Sequence, residues 1–202
     1  MECSDDDLRK HTVGDLQPRS GPVEIVVYSP EWPERFEAEA RNIRRALGGI
    51  ALGVEHVGST AVPGLAAKPV IDIVLVVPDS SRENQYAPPL EAAGYRLRIR
   101  EAGWHEHRMF ASLTEDVNLH VFSRGCPEVD RMMQFRDWLR TSEADRELYA
   151  QTKRALARQQ WKSTQNYADA KTAVVEAIMT RASRVQKYEE PGNTKSAAIP
   201  TG

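Results

Sequence analysis

One stretch of this chain, His56 to Val77 (HVGSTAVPGLAAKPVIDIVLVV), holds residue types whose spacing could do chemistry. Gly58 lets the backbone approach a phosphate closely, and successive N–H groups after it can form an anion nest. Ser59 adds a hydroxyl donor, and Thr60 follows it. Downstream, the apolar run Val70 to Val77 is broken by a single acid, Asp72. Such a run reads as a strand buried on both faces. A carboxylate there is costly unless a metal ion or a lysine such as Lys68 meets it. The segment is therefore a candidate phosphate-and-metal site. Lys68, four residues before Asp72, either contacts phosphate or neutralises the acid. His56 reads equally well as a pocket wall and as the satisfied partner of a backbone group.

A second set of candidates lies further on. Arg136 and Arg140 are four apart and share a helix face, and Tyr149/Lys153 and Tyr167/Lys171 repeat that spacing. If these faces converge on the sheet, they make a basic wall for an anion; if not, they are solvated faces with snorkelling lysines. The triplet His105-Glu106-His107 lacks the helical spacing of a zinc protease motif and reads first as a polar strand edge or loop. Its functional version has His107, with His120, lining the pocket. The tryptophans Trp104, Trp138 and Trp161 read as core or rim aromatics.

The elements that must position these groups follow from patterning. The chain has 202 residues, 41% apolar and 28% charged, which suits one soluble globular domain. Its 27 basic and 29 acidic residues nearly cancel, which argues against nucleic acid as a partner. Two cysteines, Cys3 and Cys126, suggest a reducing, cytoplasmic setting. No apolar run approaches membrane-spanning length, so no membrane is expected. Residues 1–22 and 187–202 read as disordered tails flanking a single domain at 23–186.

Within that domain, Val23 to Tyr28 reads as a short strand. Phe36, Ala40, Ile43 and Leu47 mark a helix stopped by Gly48-Gly49. Strands are expected at Glu55 to Val57, Val70 to Val77, Tyr95 to Arg100, Arg108 to Leu113 and Val117 to Phe122, the last two as a hairpin. A helix capped by Ser80 or Ser81 runs through Leu90 to Ala93. From about residue 127 the pattern is helical, with helices around Phe135, after a Thr141 or Ser142 cap, and from Thr164 to Val185. The fold class is α+β: a small mixed sheet with flanking helices and a helical C-terminal half.

A Gly-Ser loop followed about a dozen residues later by an acid in an apolar strand resembles the layout of the nucleotidyltransferase superfamily. The whole segment from His56 to Ile73 resembles the signature of the GrpB family. So do Tyr28…Trp32, Gly94-Tyr95, Asn118-Leu-His-Val-Phe122, Phe135-Arg-Asp-Trp-Leu-Arg140 and the Tyr149…Lys153 and Tyr167…Lys171 pairs. This resemblance spans Val23 to Ala182 and implies a nucleotidyltransferase-like fold. Joined to the residue reading above, the expectation is Mg²⁺ on Asp72, a phosphate-bearing ligand or nucleotide at His56, Gly58, Ser59, Thr60, Lys68, His107, Arg136, Arg140, Lys153 and Lys171, and a catalytic role for Asp72 with His120. A similar domain is found fused behind dephospho-CoA kinase.

The chain departs from the superfamily at one point. The usual Asp-x-Asp places two carboxylates on one strand face, but Val70 and Val74 flank Asp72 here. The neighbouring strand offers Asn118 and His120, which bring no negative charge. Three readings follow: Mg²⁺-dependent nucleotidyl transfer, a non-catalytic module for a nucleotide or CoA-like phosphate ligand, and an interaction scaffold with a vestigial site.

Overall fold

The structure, a computed structural model, describes residues 11–14, 23–114, 116–161 and 164–189. Helix α1 (Glu31–Leu47) has acids Glu31 and Glu34 in its first turn and Arg44 and Arg45 in its last, both complementary to the helix dipole. It buries Trp32, Ala40, Ile43 and Leu47 and ends at Gly48, whose φ of 54° suits glycine. Strands β1 (Gly53–Val57) and β2 (Ile71–Val77) follow, then α2 (Ala87–Ala92), β3 (Tyr95–Glu101), β4 (His107–Ser112) and β5 (Val117–Ser123). The helical half comprises α3 (Pro127–Thr141), α4 (Glu143–Ala157), α5 (Thr164–Asp169) and α6 (Thr172–Glu189).

The sheet order is β1-β2-β5-β4-β3. Only the β2–β5 pair is parallel, with Asp72 beside Asn118 and Val74 beside His120. Alternation then divides the sheet. Ile71, Ile73, Leu75, Leu119 and Val121 face the main core with Phe110, under α1 and α2. Asp72, Val74, Asn118, His120 and Phe122 point the other way. There Val74 and Phe122 pack with Val129, Met132 and Met133 of α3, which leaves Asp72, Asn118 and His120 beyond the helix.

Strand β3 changes sides part-way. Leu97 pairs with Phe110, but Ile99 pairs with Met109, so Arg98 is an extra residue and the register shifts there. Such a bulge inverts the alternation. Tyr95 and Leu97 stay in the main core, while Glu101 joins the opposite face across from His107. The freed carbonyl of Arg98 accepts a hydrogen bond from Val13 N–H at 2.9 Å, and Thr12 bridges Ile99.

Several expectations are corrected. Val23 to Tyr28 is not a regular strand; it contributes a single bridge, Val26 to Ala67. Neither Ser80 nor Ser81 caps α2, which begins only at Ala87 after a 3₁₀ turn over Glu83–Gln85. Ser80 is buried instead, with its Oγ on Ser123 Oγ at 2.9 Å. Ser142 does cap α4, accepting from Asp145 N–H. The single helix expected from Thr164 to Val185 is broken between α5 and α6, and Lys171 sits at the break. No Gly or Pro marks that break, so periodicity alone runs through it. Thr12 and Val13 pair with β3, although they lie in the stretch expected to be a free tail; most of that stretch, and residues 190–202, lie outside the described residues.

Candidate functional site

Gly58 is the hinge of the site. It follows β1 directly, with φ 69° and ψ −168°, a region of backbone space essentially confined to glycine. A Cβ there would lie 2.5 Å from Asp72 Oδ2 and 3.1 Å from its Cγ. Glycine thus lets the loop lie flat on the carboxylate. Asp72 Oδ1 accepts a hydrogen bond from Asn118 Nδ2 at 2.9 Å, and His120 Nε2 stands 4.0 Å from it. Burial alone would push the Asp72 carboxyl up. The charge of His120 when its ring is protonated, hydrogen bonding from Asn118 and the charge of Lys171 outweigh burial and hold it below the usual carboxylate range. The acid remains ionised.

The loop's next residue meets the helical half. Lys153 of α4 is buried and donates from Nζ to Ser59 Oγ at 2.8 Å and to the Ala66 carbonyl at 2.6 Å. Its ammonium lies over the Tyr149 ring, 4.7 Å from the centroid. Tyr149 in turn shares a hydrogen bond with Ser59. Burial, reinforced by the positive charges of Lys171 and Arg154, lowers Lys153 to about 7 against the pull of Asp72. Lys171 lies over the Tyr167 ring at 4.7 Å. Burial lowers it too; Asp72 opposes the shift, and Lys68 nearby adds to it. The Tyr167 hydroxyl is buried and, among the described residues, has no hydrogen-bond partner. A buried phenol without a partner is costly, and an incoming oxyanion would satisfy it.

Gly58, Ser59, Asp72, His120, Lys153 and Lys171 therefore come together, with Lys68 at the margin. Four predicted ligand contacts do not join them. Arg136 is buried behind β1, donating to the His56 carbonyl at 2.9 Å and to Glu55 at 3.1 Å, and it also pairs with Asp137. Arg140 clamps the Ala61 carbonyl through Nε and an Nη at 3.0 and 2.9 Å. Both arginines brace the Gly58-Ser59 loop from outside; their donors are engaged on backbone and carboxylates. Thr60 is buried and donates to the Val70 carbonyl at 3.3 Å, so its single proton is used. His56 Nε2, 3.0 Å away, must then be the donor to Thr60 Oγ1. His56 also stacks on Phe36 at 4.7 Å. Both residues are internal supports of the loop.

Burial pushes His56 down to about 4. An unfolded histidine gains its proton near pH 6.5, so between those values the unfolded chain binds more protons and stability falls as pH falls. The expected loss is about 2 kcal/mol between pH 7 and 5. His56→Gln should flatten that slope in denaturant unfolding; an unchanged slope would refute the assignment.

His107 is buried on β4 rather than exposed on an extended stretch with His105. His105 and Glu106 occupy the β3–β4 turn with φ of 54° and 50°, which separates the two histidines. His107 Nδ1 lies 2.6 Å from Glu101 Oε2, and its Nε2 lies 3.0 Å from His120 Nδ1. Sequence reading missed Glu101, because the bulge at Arg98 is what turns it to this face.

For Mg²⁺, the donor set is short. Val74 lies buried in the apolar cluster under α3, where a second strand acid would stand. Among the described residues no group of three or more His, Cys, Asp or Glu is placed to hold a metal ion. One carboxylate fits Mg²⁺ only when ligand phosphates complete the shell. Among the described residues no helix is long and apolar enough to cross a membrane.

Comparison with known proteins identifies the family and the fold. The family model described as GrpB protein matches residues 22–181. A UPF0157 protein of Halalkalibacterium halodurans is 54% identical over 179 residues, covering 89% of this chain and 92% of that one. The crystal structure of conserved protein GrpB from Enterococcus faecalis superposes with a TM-score of 0.71 at 31% identity, over 82% of this chain and 99% of that one. The structure of the GLD-2/RNP-8 complex matches at a TM-score of 0.53 and 13% identity, over 88% of this chain and 74% of that one, a likeness of fold alone. The mixed sheet with its flanking helices is thus an α+β fold shared with these structures. On the extent of the family match and the identity to its relatives, this chain belongs to the GrpB family.

Proposed function

We propose that this protein binds a phosphate-bearing small molecule of the nucleotide class between the Gly58-Ser59 loop and helices α4 to α6. The observation that carries this reading is the Lys153–Ser59 contact, with Lys171 close by and the partnerless Tyr167 hydroxyl beside it. Two amines with lowered pKa, Lys153 buried and Lys171 half-buried, facing one ionised acid, are poorly neutralised without an anion. Ser59 and the lysines would hold the terminal phosphates, and Tyr167 would donate to an oxyanion. Asp72 would hold Mg²⁺ brought in on the ligand, where the ion supplies charge neutralisation on phosphate oxygens.

Calorimetric titration with pyrophosphate and with each nucleoside triphosphate, with and without Mg²⁺, tests this. Saturable binding is expected for at least one of them. Lys153→Met should weaken it about 10- to 100-fold, the usual worth of a charge-assisted contact. At pH 8 Lys153 is mostly neutral, so binding should take up close to one proton per ligand, read from the buffer dependence of the heat. No saturable heat with any of these ligands would overturn the reading.

A second reading, nucleotidyl transfer to an acceptor, is favoured by the placement of His120 between His107 and Asp72.

A further inference from the structure

Five residues form one line across the sheet face: Glu101 on β3, His107 on β4, His120 and Asn118 on β5, and Asp72 on β2. The direction of every hydrogen bond in it follows from donor capacity. Burial keeps His107 neutral at physiological pH, against the pull of Glu101. Hydrogen bonding from His107 holds Glu101 ionised, against burial. A carboxylate only accepts, so His107 carries its proton on Nδ1, 2.6 Å from Glu101. Its Nε2 is therefore a lone pair, and His120 must donate to it from Nδ1, 3.0 Å away. In the neutral His120 ring that leaves the lone pair on Nε2, aimed at Asp72 Oδ1 across 4.0 Å. The gap is too long for a hydrogen bond, so two acceptors face each other with room for a donor to meet both.

The surroundings hold the line in place. His107 stacks on Phe122 at 4.8 Å and on His120 at 5.2 Å, and Trp104 closes edge-on over it at 5.3 Å. His120 keeps 23% of its side chain exposed.

We infer that Glu101 and His107 are positioning residues that fix His120 as a general base, with Nε2 as the accepting atom, for a hydroxyl-bearing acceptor. This rests on the phosphate ligand sitting at Ser59, Lys153 and Lys171. The acceptor oxygen forms the bond to phosphorus, and its proton passes to His120 Nε2. The bridging P–O bond of a nucleoside triphosphate breaks, and the leaving pyrophosphate stays with the two lysines. A base fixed in this way supplies proton removal where the strand lacks a second carboxylate.

Two measurements on the apo protein test the relay apart from ligand binding. Long-range ¹H–¹⁵N correlation of the imidazoles at pH 7.5 should show His107 as the Nδ1–H form, the minor form of free histidine, and should show no Nε2–H form for His120. A neutral His120 protonated on Nε2, or a His107 protonated on Nε2, overturns the inference without any variant having to fold. The second measurement is carbethoxylation by diethyl pyrocarbonate, followed residue by residue by mass spectrometry. Its internal reference is the exposed His105. His120 should react faster than His105 despite its lower exposure, and Glu101→Gln should slow His120 at least five-fold while His105 is unchanged. Equal His120 rates in the two proteins overturn the relay. Loss of the pyrophosphate titration with both relay results intact would remove the ligand reading, and with it the acceptor, while leaving the tautomers standing.

Discussion

Gly58→Ala lowers stability by about 2–6 kcal/mol and abolishes phosphate-ligand binding. Two costs combine. The backbone at φ 69°, ψ −168° is a conformation that a residue with a Cβ adopts only under strain, of order 1–3 kcal/mol. The added methyl would also sit 2.5 Å from Asp72 Oδ2, so the carboxylate or the loop must move, an overpacking cost of about 1–3 kcal/mol. The two are separable. Asp72→Ala removes the struck Oδ2 and Cγ, keeps the Cβ at 3.0 Å and leaves the backbone conformation alone, so the double variant should recover part of the loss, up to roughly half, relative to additivity. Chemical denaturation of the four proteins measures the cycle. Additive effects within about 0.5 kcal/mol would show that Gly58 and Asp72 are not in contact.

Lys153→Met is expected to weaken ligand binding and to gain stability at neutral pH. Lys153 is lowered to about 7 in the folded state, while an unfolded lysine keeps its proton to about 10.5. Between those values the unfolded chain binds more protons than the folded one, so stability rises with pH. The wild type should gain about 3 kcal/mol between pH 7 and 9.5 from this residue, and Lys153→Met should lose that part of the slope. Lys171, also lowered by burial, adds a slope of the same sign that survives the substitution. Burial raises Tyr149, so its effect begins only where unfolded tyrosine ionises, above that window. Unfolding at pH 7, 8, 9 and 9.5 decides the matter. Identical slopes for the two proteins would mean that Lys153 is not buried as a strained amine. A more stable variant that binds more weakly would show that the wild type sacrifices stability to keep a cation at Ser59.

Much of the site was legible because it lies on regular elements. Asp72 and His120 share a face by strand alternation and the parallel β2–β5 register. Lys153 was found from helical spacing, and Lys171 was found from its distance to Tyr167 even though the helix breaks there. Spacing could not say which basic residues reach the ligand. Arg136 and Arg140 share a face as expected, yet that face lies on backbone carbonyls of β1 and the loop, a matter of tertiary packing. His56 and Thr60 satisfy each other, and short motifs carry no sign of that. Glu101 was invisible for a sharper reason. Tyr95, Leu97, Ile99 and Glu101 read as one face of a strand, and only the extra residue at Arg98 splits them between two.

That extra residue settles which charge His107 meets. With unbroken alternation from Leu97, Arg100 would stand across from His107, and a guanidinium would end the line where a carboxylate now does. The choice between anion and cation is held by backbone pairing. The carbonyl released by the bulge is taken up by Val13, and Thr12 bridges the next residue of the strand. Both lie ahead of residues 22–181, the stretch matched to the family. A chain trimmed to that stretch would keep every residue of the candidate site and lose the segment that pairs with the bulged strand. Control of the register that sets Glu101 against His107 thus extends to sequence outside the shared domain.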